Sequence, residues 1–345
     1  VFSSNFALYG DLSQRVMSYL EAECSRVEIY SIDEAFLLFE EEYDTKKATN
    51  LRLRIRAATG IPVSVGIAPT KTLAKLAAKA AKKQPGGVFR INENNRLRVL
   101  NSCPVDNIWG IGRRLSARLK SSGLMTSAQL CAVDDQWILQ YFPVTLLRTV
   151  HELRGKSCLA LEEVSDKRQS ICCSRSFKKG IRHKHILREA LAAFTARAAE
   201  KLRSEKQYCS CLSVFLQTSL KEAGGRQSRN ATINIPVASA DTMELNAYVE
   251  LLTDKLYEEN ALYKKAGVVL LHLCSEVQSD FFDSLSEKQR RQRMTLMHSI
   301  DKLNSQFGKE TLRFLGSGIQ RPWATERSML SPKYTTCWQD IRIVK

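Results

Sequence analysis

The sequence predicts an α+β multidomain protein, on three observations. Short β-rich runs alternate with amphipathic helical segments, a stretch of short helices with glycine turns interrupts them, and a polar linker divides the chain. Residues 13–24 carry Val16, Met17 and Leu20 at helical spacing. Two β-rich runs within 27–39 flank the pair Asp33-Glu34, which predicts a hairpin with the acids at or beside its turn. Residues 48–58 read as a basic helix and 62–68 as a buried strand. A helix over about 70–82 stops at the breaker Gln84-Pro85-Gly86-Gly87. From about 95 onward, turns at Trp109-Gly110-Ile111-Gly112 and Ser121-Ser122-Gly123 punctuate short helices, and 163–170 read as linker. Beyond it, strands are expected at 171–177, 209–218, 230–237 and 267–277, with helices at 186–205 and 241–258. Two β-α-β units of this kind give a second α+β domain, and 278–345 read as an appended, partly helical tail.

The chain has 345 residues, of which 44% are hydrophobic, enough for two or three cores and against global disorder. No run approaches the ~20 apolar residues of a membrane span, and no signal peptide opens the chain, so a cytoplasmic location is expected. The net charge is +16, unevenly spread: residues 1–45 hold ten acids and two bases, and 46–125 hold seventeen bases against Glu93 and Asp106. An acidic segment abutting a basic one suits a metal site beside a polyanion track. Ten cysteines without a C-x-x-C read as free thiols, and His183-x-His185 lacks a zinc spacing, so a solvated loop is expected there.

Three segments carry chemistry. At a hairpin turn Asp33 and Glu34 can converge, and paired carboxylates suit a hard cation such as Mg²⁺, or two such ions in phosphoryl transfer. An exposed hairpin tip is the plainer reading of the dipeptide alone. In the next helix Lys71, Lys75, Lys79 and Lys82 share a stripe ~80° wide at about 100° per residue, opposite Leu73, Leu76, Ala77 and Ala80. No acid interrupts 45–92, so the stripe is expected to meet phosphates, with Lys82 in reach of a triphosphate. Finally, Gly110-Ile111-Gly112 followed by Arg113 and Arg114 reads as a helix-hairpin-helix, whose backbone N–H groups approach DNA phosphates closely.

These motifs, S-I-D-E-A-F at 31–36, K-T-L-A-K-L-A from 71 and W-G-I-G-R-R at 109–114, resemble those of Y-family translesion DNA polymerases, most closely the bacterial UmuC type. The resemblance continues through R-A-A-E-K-L-R-S-E at 197–205, Y-K-K-A-G-V at 263–268 and M-L-S-P-K-Y-T-T at 329–336. It implies a right-hand architecture: palm over 1–94, thumb over 95–162, linker 163–170, little finger over 171–277 and a UmuC-type extension over 278–345. Asp33 and Glu34 then become catalytic metal ligands for two Mg²⁺ ions and Lys82 the triphosphate contact. Lys71, Lys75 and Lys79 are expected to bind DNA together with the glycine hairpin. The implied activity is error-prone synthesis on primed, damaged DNA with dNTPs, in the SOS response of a bacterial cell and associated with its nucleoid. The implied partners are a sliding clamp, a cleaved UmuD-type dimer and RecA.

Gln278-Ser279-Asp280-Phe281-Phe282 resembles a clamp-binding peptide: Gln278 and Phe282 fit the pattern, while Ser279 and Phe281 stand where it has leucines. The family also places a strand with a first metal-binding Asp, an aromatic steric gate and the fingers ahead of Val1. The chain is therefore expected to be N-terminally truncated and, alone, inactive. A non-catalytic damaged-DNA-binding subunit is the alternative. A nucleotide cyclase with a palm-like core is more remote, since the glycine hairpin argues against it.

Overall fold

The computed structural model describes residues 2–162, 167–219, 227–276, 286–324, 329–341 and 343. They belong to two compact units, Val1–Ser165 with Ser328–Lys345, and Asp166–Arg327.

In the first unit, helix α1 (Phe6–Glu23) begins earlier than its apolar spacing suggests, because the Asn5 side chain caps it by accepting from Leu8 N. Its buried Val16, Met17 and Leu20 pack with Leu51 and Ile55 of α2 (Thr45–Thr59). Strands β1 (Val27–Ser31) and β2 (Glu34–Leu37) form the expected antiparallel hairpin, with Ile32 and Asp33 as its turn. Strand β3 (Val65–Ile67), helix α3 (Lys71–Ala81) and strand β4 (Val88–Arg90) make a parallel crossover. A Cβ on Gly66 of β3 would lie 2.2 Å from Ala78 N and 2.4 Å from Ala74 O, so glycine is what lets α3 lie on the strand. The expected buried strand is only half-buried, because 63–68 also line an open cleft of about 1460 Å³ walled by α1, β2 and α3.

Five short helices follow: α4 (Glu93–Asn101), α5 (Arg113–Ser121), α6 (Ser127–Cys131), α7 (Asp135–Tyr141) and α8 (Val144–Leu153). Leu73 and Ala77 of α3 share one core with Leu100, Val105, Leu119, Leu130, Leu146 and Leu153. The packing is therefore continuous across residues 94 and 95, where the sequence character changes. The chain returns to this unit at its end, where Ser3 N donates to Met329 O at 2.8 Å and Asn5 Nδ2 to Ser331 O at 3.0 Å.

The second unit contains β5 (Ile171–Ile181), α9 (Lys184–Ser204), β6 (Tyr208–Thr218), β7 (Ser228–Ser239), α10 (Thr242–Leu256) and β8 (Tyr263–Cys274). The sheet order is β5-β8-β6-β7, every neighbouring pair antiparallel. Each β-α-β crossover thus steps over one strand, β8 in the first and β6 in the second. Leu187, Leu191 and Phe194 of α9 and Leu245 and Leu252 of α10 close the core with the sheet. Helix α11 (Glu287–Phe307) belongs to the same unit, so the tail expected as one appended piece is divided between the two.

All ten cysteines are free, as their spacing predicts, and burial pushes the Cys131 thiol up to about 11 and that of Cys209 to about 12. His183 sits at the N-cap position of α9 without a side-chain capping bond, and its ring stacks near that of His185. Among the described residues no helix is long and apolar enough to cross a membrane.

Candidate active site and nucleic-acid interface

The hairpin puts Asp33 at an exposed tip. Its carboxylate accepts a hydrogen bond from Ser31 Oγ at 2.7 Å, which restrains its orientation. Glu34, the first residue of β2, has an oxygen 2.7 Å from Lys75 Nζ. Both acids line the open cleft, together with Lys75, Lys79, Lys82, Asn107 and Trp109. The structure brings the acids and the lysine helix together as the sequence suggests.

It divides the lysine stripe, however. Lys71 is paired with Glu28, which is 7% exposed, and also donates to Ala160 O at 2.6 Å. Lys75 is paired with Glu34. The charges of these two lysines are met by carboxylates of the preceding hairpin. The absence of acids over 45–92 pointed to phosphates, but the partners lie in the acidic segment just before it. Lys79 and Lys82 remain exposed; Lys79 contacts Asn107 Oδ1, and Lys82 is the C-cap of α3.

The glycine hairpin also departs from expectation in its first half. The segment before the turn is a single 3₁₀ turn, Val105–Asn107, and not a helix. Gly110 has φ +86°, a left-handed conformation that favours glycine, and Gly112 caps α5 without any side-chain hydrogen bond to the first-turn N–H groups. Ile111 is buried and pins the turn to the core, while Arg113 and Arg114 are exposed at the helix start. The arrangement leaves first-turn backbone donors beside two exposed arginines at the start of α5, a combination suited to phosphate.

Sequence reading missed several supporting residues. Glu28 alternates inward on β1, where an apolar residue is the usual occupant, and its carboxylate also accepts from Glu162 N at 2.8 Å. Tyr30 accepts a hydrogen bond from Trp109 Nε1 at 3.1 Å. Glu152 is fully buried between α8 and α3. An acid inside an apolar helical pattern, as at Glu152, is the signal that could have exposed it. The clamp-type peptide Gln278, Phe281 and Phe282 lies outside the described residues.

The fold is that of a Y-family DNA polymerase. A solved Y-family chimera of Dbh and Dpo4 superposes with a TM-score of 0.59 at 20% identity, covering 78% of this chain and 77% of its own. Within that class the chain belongs to the impB/mucB/samB family. The model of that family matches residues 1–79, its C-terminal-domain model 168–281, and a domain of unknown function 294–344. Protein UmuC of Salmonella typhimurium is 43% identical over 357 residues, spanning 100% of this chain and 84% of the relative. DNA polymerase IV 2 of Mesorhizobium japonicum is 27% identical over 336 residues, spanning 90% and 77%.

Proposed function

We infer that the chain is a DNA-directed DNA polymerase of the error-prone translesion type, a nucleotidyltransferase that extends primers on damaged templates. One observation carries this reading: a single unit holds an acidic hairpin tip, an exposed lysine at a helix end and an open glycine turn flanked by arginines. Asp33 and Glu34 supply oxygen donors only, which fits a hard divalent cation such as Mg²⁺, usually held by one or two carboxylates plus substrate phosphates. Nucleotide phosphates would supply further oxygen ligands to such an ion. Two such ions, when bound, stabilise the attacking and leaving oxygens of phosphoryl transfer.

The chain's own residues do the rest. Ser31 orients Asp33, Lys82 draws the triphosphate of the incoming dNTP, and Lys79 adds positive charge along the same face. Gly110, Gly112, Arg113 and Arg114 hold the DNA backbone and fix register without reading sequence. Family resemblance further supports a sliding clamp reached through Gln278, Phe281 and Phe282, a cleaved UmuD-type dimer and RecA as partners. It also supports the bacterial nucleoid as the place of action.

The test is primer extension by the complete protein carrying Asp33→Asn or Glu34→Gln, with DNA binding measured in parallel. Both variants are expected to lose extension and keep DNA affinity, since neither acid is among the residues assigned to the DNA backbone. Extension at the wild-type rate by both would leave a DNA-binding subunit as the better reading.

A further inference from the structure

The ammonium of Lys75 is enclosed. Its Nζ lies 2.7 Å from Glu34 Oε2, 4.8 Å from the Tyr30 ring centroid, 5.7 Å from that of Trp109 and 6.0 Å from that of Phe36. The rings also hold one another: Tyr30 and Trp109 meet edge to face at 5.4 Å, and Trp109 Nε1 donates to Tyr30 Oη at 3.1 Å. A lone Lys–Glu pair near a surface is loose, because two flexible side chains must be ordered in water. Three ring faces around one ammonium remove that freedom and favour the charge by cation–π attraction. An ammonium fixed in this way fixes the carboxylate it touches.

We propose that Lys75, Tyr30 and Trp109 are positioning residues that hold Glu34 in place and couple it to the glycine turn. Trp109 immediately precedes Gly110, so the backbone that approaches a DNA phosphate starts one residue from the cage around Lys75. A phosphate seated on Gly110–Gly112 restrains Trp109, and through Tyr30 and Lys75 it restrains Glu34. Nothing in the pattern of the lysine helix distinguishes Lys75 from Lys79 or Lys82. The cage does, since it turns Lys75 toward the acid while Lys79 and Lys82 stay exposed. This inference rests on the reading of Glu34 as a catalytic acid.

The experiment compares Lys75→Met, Lys75→Arg, Trp109→Leu, Tyr30→Leu, Glu34→Gln and the Glu34→Gln/Lys75→Met double variant. The readouts are kcat and KM for primer extension, DNA affinity by fluorescence anisotropy, and melting temperature. Lys75→Met and Trp109→Leu are expected to lower kcat about tenfold while DNA affinity stays within about twofold, and Lys75→Arg to recover most of the loss. Lys75→Met is expected to lower the melting temperature less on the Glu34→Gln background than in the wild type, because coupled residues are non-additive. Should Trp109→Leu melt early, Tyr30→Leu carries the test, since Tyr30 is 45% exposed and its loss leaves the core intact. A readout independent of activity is acetylation by a lysine reagent: Lys75 should be protected relative to Lys82 in the wild type and reactive in Tyr30→Leu. Full kcat with weakened DNA affinity in Lys75→Met would make Lys75 a phosphate contact and overturn the proposal, as would equal labelling of Lys75 and Lys82. An inactive Glu34→Gln beside normal Lys75 and Trp109 variants overturns this inference alone. An active Glu34→Gln overturns it together with the catalytic reading.

Discussion

The carboxylate of Glu152, in the last turn of α8, accepts a hydrogen bond at 3.0 Å from the backbone N–H of Thr72, in the first turn of α3. Its second oxygen accepts from Cys158 N at 2.7 Å and Leu159 N at 3.2 Å, and the Glu152 carbonyl accepts from Thr70 Oγ1 at 2.9 Å. A fully buried acid is thereby satisfied by three backbone donors, one of them at a helix N-terminus where negative charge is favoured. The contact links the helix that carries Lys75 and Lys82 to the last of the short helices and to the segment leading to Ala160. Ala160 O in turn receives Lys71.

Glu152→Ala is therefore expected to destabilise the protein well beyond an ordinary surface substitution. It strands three N–H groups away from water, at about 1–3 kcal/mol for each buried group left unpaired. Chemical denaturation of the two proteins measures the difference. Glu152→Gln, which keeps the shape and one good acceptor, should recover part of the loss. A melting curve for Glu152→Ala indistinguishable from wild type would mean that water enters this site.

A neighbouring carboxylate gives a pH-dependent counterpart. Asp135, in the first turn of α7, accepts from His151 Nε2 at 2.8 Å and from Arg154 Nη1 at 2.5 Å. These two hydrogen bonds, His151 first, hold its carboxyl below the ordinary carboxylate value. A depressed folded-state value means the stabilisation is present above the unfolded value, near 3.9, and is lost as pH falls through the folded one. Asp135→Asn should accordingly lower the melting temperature at pH 6, with the gap to wild type closing below about pH 4. A gap that is constant from pH 6 to pH 3 would contradict this account.

The hairpin, the lysine helix and the second α+β unit were legible because each is signalled locally: Asp33-Glu34 between β-rich runs, Leu73 and Ala77 opposite the lysines, Gln84-Pro85-Gly86-Gly87 as a stop. The acidic hairpin and the lysine helix do line one cleft. What they do to each other was not legible, because the Lys71–Glu28 and Lys75–Glu34 pairs span 43 and 41 positions and depend on how α3 settles on Gly66. The half-burial of β3 was hidden for the same reason: an apolar strand lining a cleft has the composition of a buried one. The first half of the glycine hairpin contracted to a 3₁₀ turn because Pro104 and Ile108, both extended, close it on either side.

DNA affinity should fall linearly with log salt, at about 0.9 per phosphate neutralised on duplex DNA. Arg113→Ala and Arg114→Ala, both exposed at the start of α5, should weaken binding uniformly across sequences and each flatten that slope by about one. Gly110→Val acts differently, since its φ of +86° strains any branched residue, so affinity should fall while the charge is unchanged. Anisotropy titrations over a salt series separate the two effects. Arginine variants with an unaltered slope would remove these residues from the phosphate-binding edge.

Helix α11 is attached to the second unit by a charge pair that sequence position alone could not have matched, Arg203 of α9 with Asp301. The Arg203 side chain is 4% exposed, and its Nε and Nη2 donate to the two Asp301 oxygens at 2.6 and 2.7 Å. Its Nη1 donates to Ala240 O at 2.7 Å and to Thr242 Oγ1 at 3.1 Å, so the cation is satisfied on every side. Removing only the acid leaves a buried charge with half its partners. Asp301→Ala should therefore cost about 3 kcal/mol or more and release α11 to proteolysis. Replacing both partners by apolar residues, Arg203→Met with Asp301→Leu, should cost much less, because the desolvation penalty disappears together with the attraction. The comparison of single and double variants by limited proteolysis and thermal melting decides the matter. A double variant as unstable as Asp301→Ala would show that the pair is held for its geometry, with Ala240 and Thr242 as the true anchors of Arg203.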